Sequence, residues 1–231
     1  MFDVIILMAG TGQRAKLEYN KVFYQLMGKE VYQYSVDVFM SHEKCRNIIL
    51  VVNENDLDRL ESFGTNVIIT KGGRTRMESV YCGLKHVQSE YVFIHDAARP
   101  NINSFLIDKL YQDVFAYDAA ALAVKSTNAI KTVQDFRIEK TLNRSNLIEM
   151  QTPQAIKTSI YKEALQKAID DGVNAYDDME VVLLYTTIKP VYTNSSYSNI
   201  KITNEIDFKI MEVIMKEKIW LESDIRTILI N

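Results

Sequence analysis

The sequence contains little cysteine, and this limits the metal and disulfide chemistry that it can support. Cys45 and Cys82 are the two cysteines among 231 residues, and neither forms a CxxC pair or lies next to a histidine. Zinc sites and disulfide frameworks both depend on recognisable cysteine spacing. The sequence therefore favours neither, and two such thiols are typical of a protein in a reducing cytosol.

The chain also has no excess of positive charge. Its 27 Lys and Arg residues are outnumbered by 30 Asp and Glu residues, which gives a formal net charge of −3. Proteins that bind nucleic acid usually carry a basic balance or a basic stripe. We therefore expect no nucleic acid partner, and the cations of any anion site must be gathered locally.

Long hydrophobic runs are absent as well. The first apolar run, residues 4–7, is short and leads into glycines, without the basic start and small-residue cleavage site of a signal peptide. No stretch approaches the roughly 20 apolar residues that span a bilayer. The sequence predicts a cytoplasmic protein that does not engage a membrane.

Short β-branched runs alternate with longer amphipathic segments along most of the chain. The predicted strands are residues 4–8, 47–52, 66–70, 91–94, 119–124 and, approximately, 188–192. The predicted helices are residues 32–40, about 56–63, 74–87, 104–117, 159–171, about 178–185, and from about 204. Continuous apolar strands separated by helices are typical of a parallel sheet covered on both faces. The predicted fold class is therefore α/β, with a Rossmann-like, mostly parallel twisted sheet and helices on both faces.

The polar stretch 125–151 breaks this rhythm. It holds two short β-like pieces, 129–133 and 137–141, on either side of a polar turn, a pattern that favours a projecting hairpin. No repeat or linker marks a domain boundary. We predict a single domain, residues 1–231, with a β-arm at about 125–150.

Three loops that follow predicted strands carry residues suited to binding phosphates. The first holds Gly10, Gly12, Arg14 and, a little later, Lys21. Glycines let backbone N–H groups approach a phosphate closely, and an arginine fork with a lysine point charge suits a triphosphate. The spacing matches neither the dinucleotide fingerprint nor the Walker A loop, so a tight turn with solvated basic residues remains the alternative.

The second loop begins at Gly72-Gly73 and continues through Arg76 to Ser79. Paired glycines would let the backbone meet the edge of a planar base, and the start of the following helix would turn N–H groups toward an anion. A plain strand-to-helix turn with surface arginines is the alternative.

The third loop follows a predicted strand and reads His95-Asp96-Ala97-Ala98-Arg99-Pro100. The Asp96 carboxylate is suited to organise Mg²⁺ around a triphosphate, directly or through water. The histidine fits a packed core equally well. Ligands of parallel sheets bind at the carboxyl ends of the strands, so we expect the three loops to share one rim.

Taken together, these motifs resemble those of the 2-C-methyl-D-erythritol 4-phosphate cytidylyltransferase family. The matching segments, in order along nearly the whole chain, are residues 8–14 with Asn20-Lys21, the residues Gly72, Gly73, Arg76 and Ser79, the HDAARP stretch 95–100, Arg144 followed by Thr152-Pro153-Gln154, and the NIKIT stretch 199–203. The resemblance implies a fold of the nucleotide-diphospho-sugar transferase type and a homodimer joined through swapped arms. It also implies a Mg²⁺-dependent enzyme of non-mevalonate isoprenoid biosynthesis that transfers CMP from CTP to 2-C-methyl-D-erythritol 4-phosphate and releases pyrophosphate.

The resemblance further implies roles for single residues. The catalytic residues that stabilise charge at the α-phosphorus are Arg14, Lys21 and Lys201. The residues that bind CTP are Ala9, Gly10, Gly12, Gly73 and Ser79. The residues that bind the acceptor are Asp96, which is also the candidate metal ligand, and Arg144, which would reach across the dimer.

Such a set of residues fits the chemistry. The nucleophile would be a phosphate monoester oxygen, whose second pKa is about 6, so it is already ionised at neutral pH and needs no general base. The difficulty is that one anion must attack another. Catalysis should therefore rest on placement and on cations rather than on a histidine.

Four positions depart from the family pattern. Met8 and Asn20 replace an alanine and a proline, while Ala129 and Tyr176 replace two threonines that help to bind the acceptor phosphate. Because both threonines lie on the acceptor side, a ribitol-5-phosphate cytidylyltransferase that makes CDP-ribitol for teichoic acid synthesis is an alternative. A nucleotide-binding regulatory protein without catalysis is another.

Overall fold

Seven strands form the central sheet of the computed structural model, which describes residues 1–10, 19–60 and 63–218. The strands, including four in two small sheets, are β1 (Phe2–Leu7), β2 (Gln25–Leu26), β3 (Lys29–Glu30), β4 (Cys45–Val52), β5 (Val67–Lys71), β6 (Tyr91–Asp96), β7 (Ala119–Lys125), β8 (Lys131–Gln134), β9 (Arg137–Thr141), β10 (Ile148–Lys157) and β11 (Val191–Asn194). The helices are α1 (Val31–Met40), α2 (Arg76–Leu84), α3 (Ser104–Tyr117), α4 (Thr158–Asp170), α5 (Asp178–Tyr185) and α6 (Glu205–Lys216).

The central sheet has the order β11-β7-β10-β6-β1-β4-β5. Strand β10 runs antiparallel to both of its neighbours, and the other neighbouring pairs are parallel. The predicted fold class, a mostly parallel sheet with helices, is confirmed. Its parallel strands place their carboxyl ends, and the loops that follow them, at one edge of the sheet.

Strand β1 shows why these apolar runs become central strands. Its alternate side chains enter opposite layers: Phe2, Val4 and Ile6 pack with α1 and α3, whereas Ile5 packs with α2, α4 and α5. All four are fully buried. A strand covered on both faces has no polar face, which is why its sequence is continuously apolar. Burial of each such side chain contributes about 1.5–3 kcal/mol.

Strand β10 is the main element that the sequence did not predict. It lies between β6 and β7 in the middle of the sheet, although it contains Pro153 and the polar residues Gln151, Thr152 and Gln154. Proline lacks an N–H for the ladder and argues against a central strand. The pairing of β10 with β7 is interrupted between Met150 and Gln154, so the proline falls where the ladder is broken.

Smaller differences concern bounds and helix type. The helix predicted at about 56–63 is a 3-10 helix, Glu54–Arg59, with Asn53 as its N-cap. The helix predicted at 74–87 is shorter, and the strand predicted at about 188–192 begins three residues later. Asn and Asp compete for backbone hydrogen bonds, which favours the short turn over an α-helix near Asn53.

The predicted arm is present as a hairpin. Strands β8 and β9 pair antiparallel, and Asp135 and Phe136 both have positive φ in the connecting turn. Every residue of the two strands is exposed, including the apolar Val133 and Ile138. The arm therefore has no apolar partner within the described part of this chain. That residues 1–231 form a single domain stays a prediction.

Among the described residues, no helix is both long enough and apolar enough to cross a membrane.

Candidate active site

A cleft of about 420 Å³ opens where β1, β5 and β6 end. Its volume falls in the range of small-molecule sites. The predicted site residues that line it are Ala9, Gly10, Lys21, Gly73, Ser79, Asp96 and Lys201. The structure thus gathers at one edge of the sheet side chains that are up to 192 positions apart in the sequence, counted from Ala9 to Lys201.

Three predicted residues are not part of this group. Gly12 and Arg14 lie outside the described residues. Arg144 is described but does not line the cleft: it lies in a 3-10 turn at the base of the arm, is exposed, and donates from Nη1 to the carbonyl of Thr127 at 3.0 Å. Its prediction as a residue that acts in a second subunit is untested by a single chain.

The Gly72-Gly73 turn allows two loops to meet. A Cβ at Gly72 would lie 2.6 Å from the Cβ of Ala9 and 2.9 Å from Oγ of Ser79. A Cβ at Gly73 would lie 2.3 Å from the Cβ of Glu78. Ser79 fixes the turn, because its Oγ accepts a hydrogen bond from the Gly73 N–H at 3.1 Å and donates to the Thr75 carbonyl at 2.9 Å. Only glycine fits at these two positions without displacing the cleft wall.

Lys21 is positioned by its neighbour Asn20, which replaces the proline of the family pattern. Nδ2 of Asn20 donates to the Met8 carbonyl at 2.6 Å and to Asp56 at 3.2 Å, and its Oδ1 accepts from the Val22 N–H. The side chain thereby joins the end of β1 to the 3-10 turn that begins at Lys21. The buried amide does by hydrogen bonding what a proline would do by restricting φ.

Lys201 approaches the cleft from the loop between β11 and α6. Its Nζ donates to Oδ2 of Asp96 at 2.6 Å. The backbone around it is held on both sides, since Arg99 donates to the Asn199 carbonyl at 2.7 Å and the Ile202 N–H donates to the Ala98 carbonyl at 2.8 Å. The HDAARP and NIKIT stretches are thus joined by two hydrogen bonds, and the first stretch fixes the backbone of the second.

Asp96 is the acidic residue that lines the described cleft, and it is surrounded by cations. Burial alone would raise its pKa, but Lys201, Arg76 and Arg99 together lower the pKa of this carboxyl well below its ordinary value. Asp96 is therefore ionised at neutral pH. It is available as a hard oxygen ligand or as a hydrogen-bond acceptor.

Sequence reasoning grouped Arg76 with the second loop but gave it no role, and it missed its partner Asp178. Nη1 and Nη2 of Arg76 donate to the two oxygens of Asp178 at 3.0 and 2.6 Å, and Nε lies 3.7 Å from Oδ1 of Asp96. The hydroxyl of Tyr161 also donates to Asp178, at 2.5 Å. The two residues are 102 positions apart, so no spacing in the sequence predicts that they pair.

His95 is a core residue and not a member of the cleft wall. It is fully buried, with Nδ1 3.2 Å from Oγ1 of Thr152 and Nε2 3.1 Å from Oγ of Ser35. Oγ1 of Thr152 in turn accepts from the Asp96 N–H at 3.0 Å. Burial lowers the pKa of His95 to about 4, so its imidazole is neutral at physiological pH. It supports the backbone on which Asp96 stands.

No group of three or more His, Cys, Asp and Glu side chains is gathered into a metal site within residues 1–10, 19–60 and 63–218. Mg²⁺ commonly takes only one or two carboxylates from a protein, together with substrate phosphates and water. A single ionised carboxylate, Asp96, beside a cationic cleft is consistent with that mode of binding.

Comparisons with known proteins find relatives that match nearly the whole chain. The model of the family IspD, 2-C-methyl-D-erythritol 4-phosphate cytidylyltransferase, matches residues 2–217. The 2-C-methyl-D-erythritol 4-phosphate cytidylyltransferase of Bacillus velezensis is 37% identical over 222 residues, which cover 93% of this chain and 96% of that protein. The enzyme of the same name from Clostridium novyi is 34% identical over 221 residues, 92% of this chain and 95% of that protein.

Solved structures are similar as well. The 4-diphosphocytidyl-2C-methyl-D-erythritol synthase of Anaerococcus prevotii has a TM-score of 0.82 and 27% identity, covering 94% of this chain and 98% of that chain. The 2-C-methyl-D-erythritol 4-phosphate cytidylyltransferase of Francisella tularensis has a TM-score of 0.80 and 27% identity, covering 91% of this chain and 97% of that chain. None of these findings favours the ribitol-5-phosphate alternative. The chain belongs to the 2-C-methyl-D-erythritol 4-phosphate cytidylyltransferase family.

Proposed function

We propose that this protein transfers the CMP group of CTP to 2-C-methyl-D-erythritol 4-phosphate in non-mevalonate isoprenoid biosynthesis. A phosphate oxygen of the acceptor forms a bond to the α-phosphorus of CTP, and the bond from that phosphorus to the bridging oxygen of the β-phosphate breaks. The products are 4-diphosphocytidyl-2-C-methyl-D-erythritol and pyrophosphate. The observation that carries the proposal is the single cleft in which Lys21, Lys201 and the Gly73–Ser79 turn come together.

The cations of the cleft account for the chemistry. The acceptor phosphate is already ionised at neutral pH, so the barrier lies in bringing it to a polyphosphate of the same sign. Lys21 and Lys201 offset the charge that develops at the α-phosphorus, and we assign Arg14 to the same task. Once the nucleotide is bound, cations in a partly dehydrated cleft are more effective than cations in water, because they need no further reorganisation during the reaction. His95 takes no part, since it is buried and neutral.

The glycine-rich turns provide the nucleotide site. Gly72 and Gly73 have no room for side chains, so the turn packs closely against Ala9, Glu78 and Ser79. We assign Ala9, Gly10, Gly12, Gly73 and Ser79 to CTP. Backbone N–H and carbonyl groups at fixed positions can recognise the polar edge of cytosine without the entropy cost of ordering long side chains.

We assign Mg²⁺ to the phosphates of CTP, with Asp96 as its protein partner, directly or through a water molecule. When bound, the ion adds positive charge to the triphosphate and favours departure of pyrophosphate. The chain's own contribution is an ionised carboxylate at the edge of a cationic cleft. We assign the same carboxylate to the hydroxyl groups of the acceptor.

The arm supports a homodimer as part of the proposal. Its exposed apolar side chains, Val133, Phe136 and Ile138, have no partner within the described part of this chain, and Arg144 stands at its base away from the cleft. Docking of the arm on a second copy would cover the apolar residues and bring Arg144 to the acceptor phosphate of the partner's site. A cytoplasmic location completes the proposal, in keeping with two free thiols.

A panel of polyol phosphates tests the proposal. The full chain is incubated with CTP and Mg²⁺ and with 2-C-methyl-D-erythritol 4-phosphate or ribitol 5-phosphate, and pyrophosphate release is measured. We expect release with the methylerythritol phosphate and little with ribitol 5-phosphate. Equal turnover of ribitol 5-phosphate would contradict the proposed acceptor, and CTP binding without pyrophosphate release with any acceptor would contradict the proposal that the protein is an enzyme.

A further inference from the structure

The guanidinium of Arg76 lines the cleft, but a carboxylate outside the cleft fixes its direction. Both terminal nitrogens donate to Asp178, whose side chain is only 1% exposed and also accepts from the hydroxyl of Tyr161. A planar guanidinium held by two parallel hydrogen bonds has little freedom to turn. Arg76 is therefore a fixed positive charge in the cleft wall.

Asp178 is itself firmly held. It is the first residue of α5, and its N–H and that of Met179 both donate to Oε1 of Gln154, at 3.0 and 3.1 Å. Gln154 belongs to β10 in the middle of the sheet. Arg76 is thus tied through Asp178 to a helix start and to a central strand, and it cannot follow an incoming ligand.

Lys201 is held in a different way. Its backbone is fixed by the contacts of Asn199 and Ile202, whereas its side chain is 37% exposed and ends on Asp96 at 2.6 Å. A lysine stem has four rotatable carbons and carries a compact charge. Of Arg76 and Lys201, the two described side chains that form ion pairs with Asp96, Lys201 is therefore the one able to move to a new anion.

The position of Asp96 makes Arg76 important once Lys201 has moved away. The residue is only 8% exposed, and its Oδ1 lies 3.7 Å from Nε of Arg76. That distance is too long for a hydrogen bond, yet it is short enough for strong attraction between charges. A buried carboxylate that loses its nearest counter-charges is costly. If Arg76 were absent, departure of Lys201 would leave Asp96 with Arg99 alone among the cationic side chains that the structure describes around it.

We propose that Arg76 is a positioning residue that stays beside Asp96 while Lys201 leaves this carboxylate for the phosphates of the nucleotide. The inference rests on the proposed function. Arg76 touches neither the base nor the phosphates; it acts through Asp96 and Lys201. Without it, Asp96 retains Lys201, and an incoming triphosphate has to compete for that lysine.

A double-mutant cycle between the Arg76–Asp178 pair and Lys201 tests this. R76Q/D178N removes both partners of the buried ion pair, a change that buried pairs tolerate better than loss of one partner. The dissociation constant of CTP is measured by calorimetry on the full chain. We expect about tenfold weaker binding in R76Q/D178N when Lys201 is present. In the K201A background the same change should weaken binding by less than about twofold, because the residue that Arg76 releases is gone.

Rescue and control variants complete the cycle. Arg76→Lys keeps a cation between Asp178 and Asp96, so it should retain more CTP affinity than R76Q/D178N. If R76Q/D178N does not fold, R76M/D178N, which also removes both charges, is measured with and without K201A as the same test. The matched control is K44Q/D108N, which removes an ion pair at 2.7 Å on the surface and should leave CTP binding unchanged. Thermal unfolding of each variant confirms that it is folded.

Two outcomes overturn the inference. Equal losses with and without Lys201 would mean that Arg76 contacts the nucleotide directly. No loss in either background, with only a lower Tm, would mean that the Arg76–Asp178 pair is structural alone. If the wild-type chain does not bind CTP, the proposed function fails together with the inference. If the wild-type chain binds CTP and the cycle gives either of these two outcomes, only the inference fails.

Discussion

Asp3 and Asp96 are buried carboxylates near opposite ends of neighbouring parallel strands, and their partners differ in kind. Asp3 accepts five hydrogen bonds of 2.6–3.1 Å from neutral donors: the backbone N–H groups of Asn47, Gln88 and Ser89 and the side chains of Asn47 and Ser89. Asp96 faces Lys201 at 2.6 Å and Arg76 at 3.7 Å.

The difference separates a structural carboxylate from a functional one. Backbone N–H groups cannot leave Asp3 unless the chain around it unfolds, so that end of the sheet is closed to ligands. A lysine side chain can exchange one anion for another without any change in the backbone. The cationic surroundings of Asp96 therefore make the carboxyl end of the sheet open to phosphates, although both carboxylates are buried.

The largest expected effect is a loss of turnover when a cation at the carboxyl end of the sheet is removed. Lys201→Ala should lower kcat by roughly 10²–10³-fold, the usual effect of removing one group that stabilises developing charge. Its unfolding curve should change little, because its partner Asp96 keeps Arg76 nearby. Pyrophosphate release and urea unfolding check this together. A variant that unfolds early but turns over normally would place Lys201 with the structural group.

At the opposite end of the sheet, around Asp3, we expect a loss of stability without a loss of turnover. Asp3→Ala should lower the free energy of unfolding by about 3 kcal/mol or more, because each buried donor left without an acceptor costs about 1–3 kcal/mol. Once folded, the variant should keep a normal kcat. Asp3→Asn, which retains one acceptor oxygen, serves as the milder control. A loss of kcat with unchanged stability would break the distinction between the two carboxylates.

A substitution at Arg144 tests whether a second copy of the chain contributes to the site at the carboxyl end of the sheet. Arg144→Ala should raise the KM for the acceptor roughly tenfold or more, since a hydrogen bond to a charged group contributes about 1.5–3 kcal/mol. The KM for CTP should change much less. Steady-state kinetics with each substrate varied in turn measures both values. A larger effect on CTP would assign Arg144 to the wrong substrate.

The smallest expected effect concerns pH, where the two ends should behave alike. Burial lowers the pKa of His95 to about 4 and also lowers that of His42, which contacts Phe2 at the Asp3 end. The unfolded chain binds these protons below 6.5 and the folded chain does not, so the free energy of unfolding should fall as the pH decreases from 6.5 toward 4. Asp96, whose pKa is lowered, loses its contribution only below about 3.8.

Urea unfolding at about pH 7 and about pH 4.5 measures this loss. His42→Gln, which cannot be protonated, should show a shallower dependence on pH. A free energy of unfolding that is constant over this range would show that the imidazoles are not held neutral.

The sheet was largely predictable from the sequence because its strands carry their own signal. Residues 48–52 of β4 and residues 91–94 of β6 are buried on both faces and read as continuous apolar runs. Strand β10 carries no such signal, since residues 151–154 are polar and include Pro153. Its place in the sheet depends on pairing with β6 and β7, which are distant along the chain, and no local pattern records that pairing.

The site divides in the same way. Lys21, Lys201 and Asp96 were predicted because each lies in a stretch that resembles a motif of the family, and the structure places all three on one cleft. The Arg76–Asp178 pair was missed because its two halves lie in separate segments and each half reads locally as a surface charge. Long-range pairs of this kind become visible only when the fold brings the segments together.

A crystal structure of the full chain with CTP and Mg²⁺ would show whether the cations of the cleft bind the triphosphate. We expect the triphosphate within hydrogen-bonding distance, about 3 Å, of both Lys21 Nζ and Lys201 Nζ, with cytosine against the Gly73–Ser79 turn. A nucleotide bound elsewhere, with Lys201 still paired to Asp96 and the cleft empty of phosphate, would contradict it.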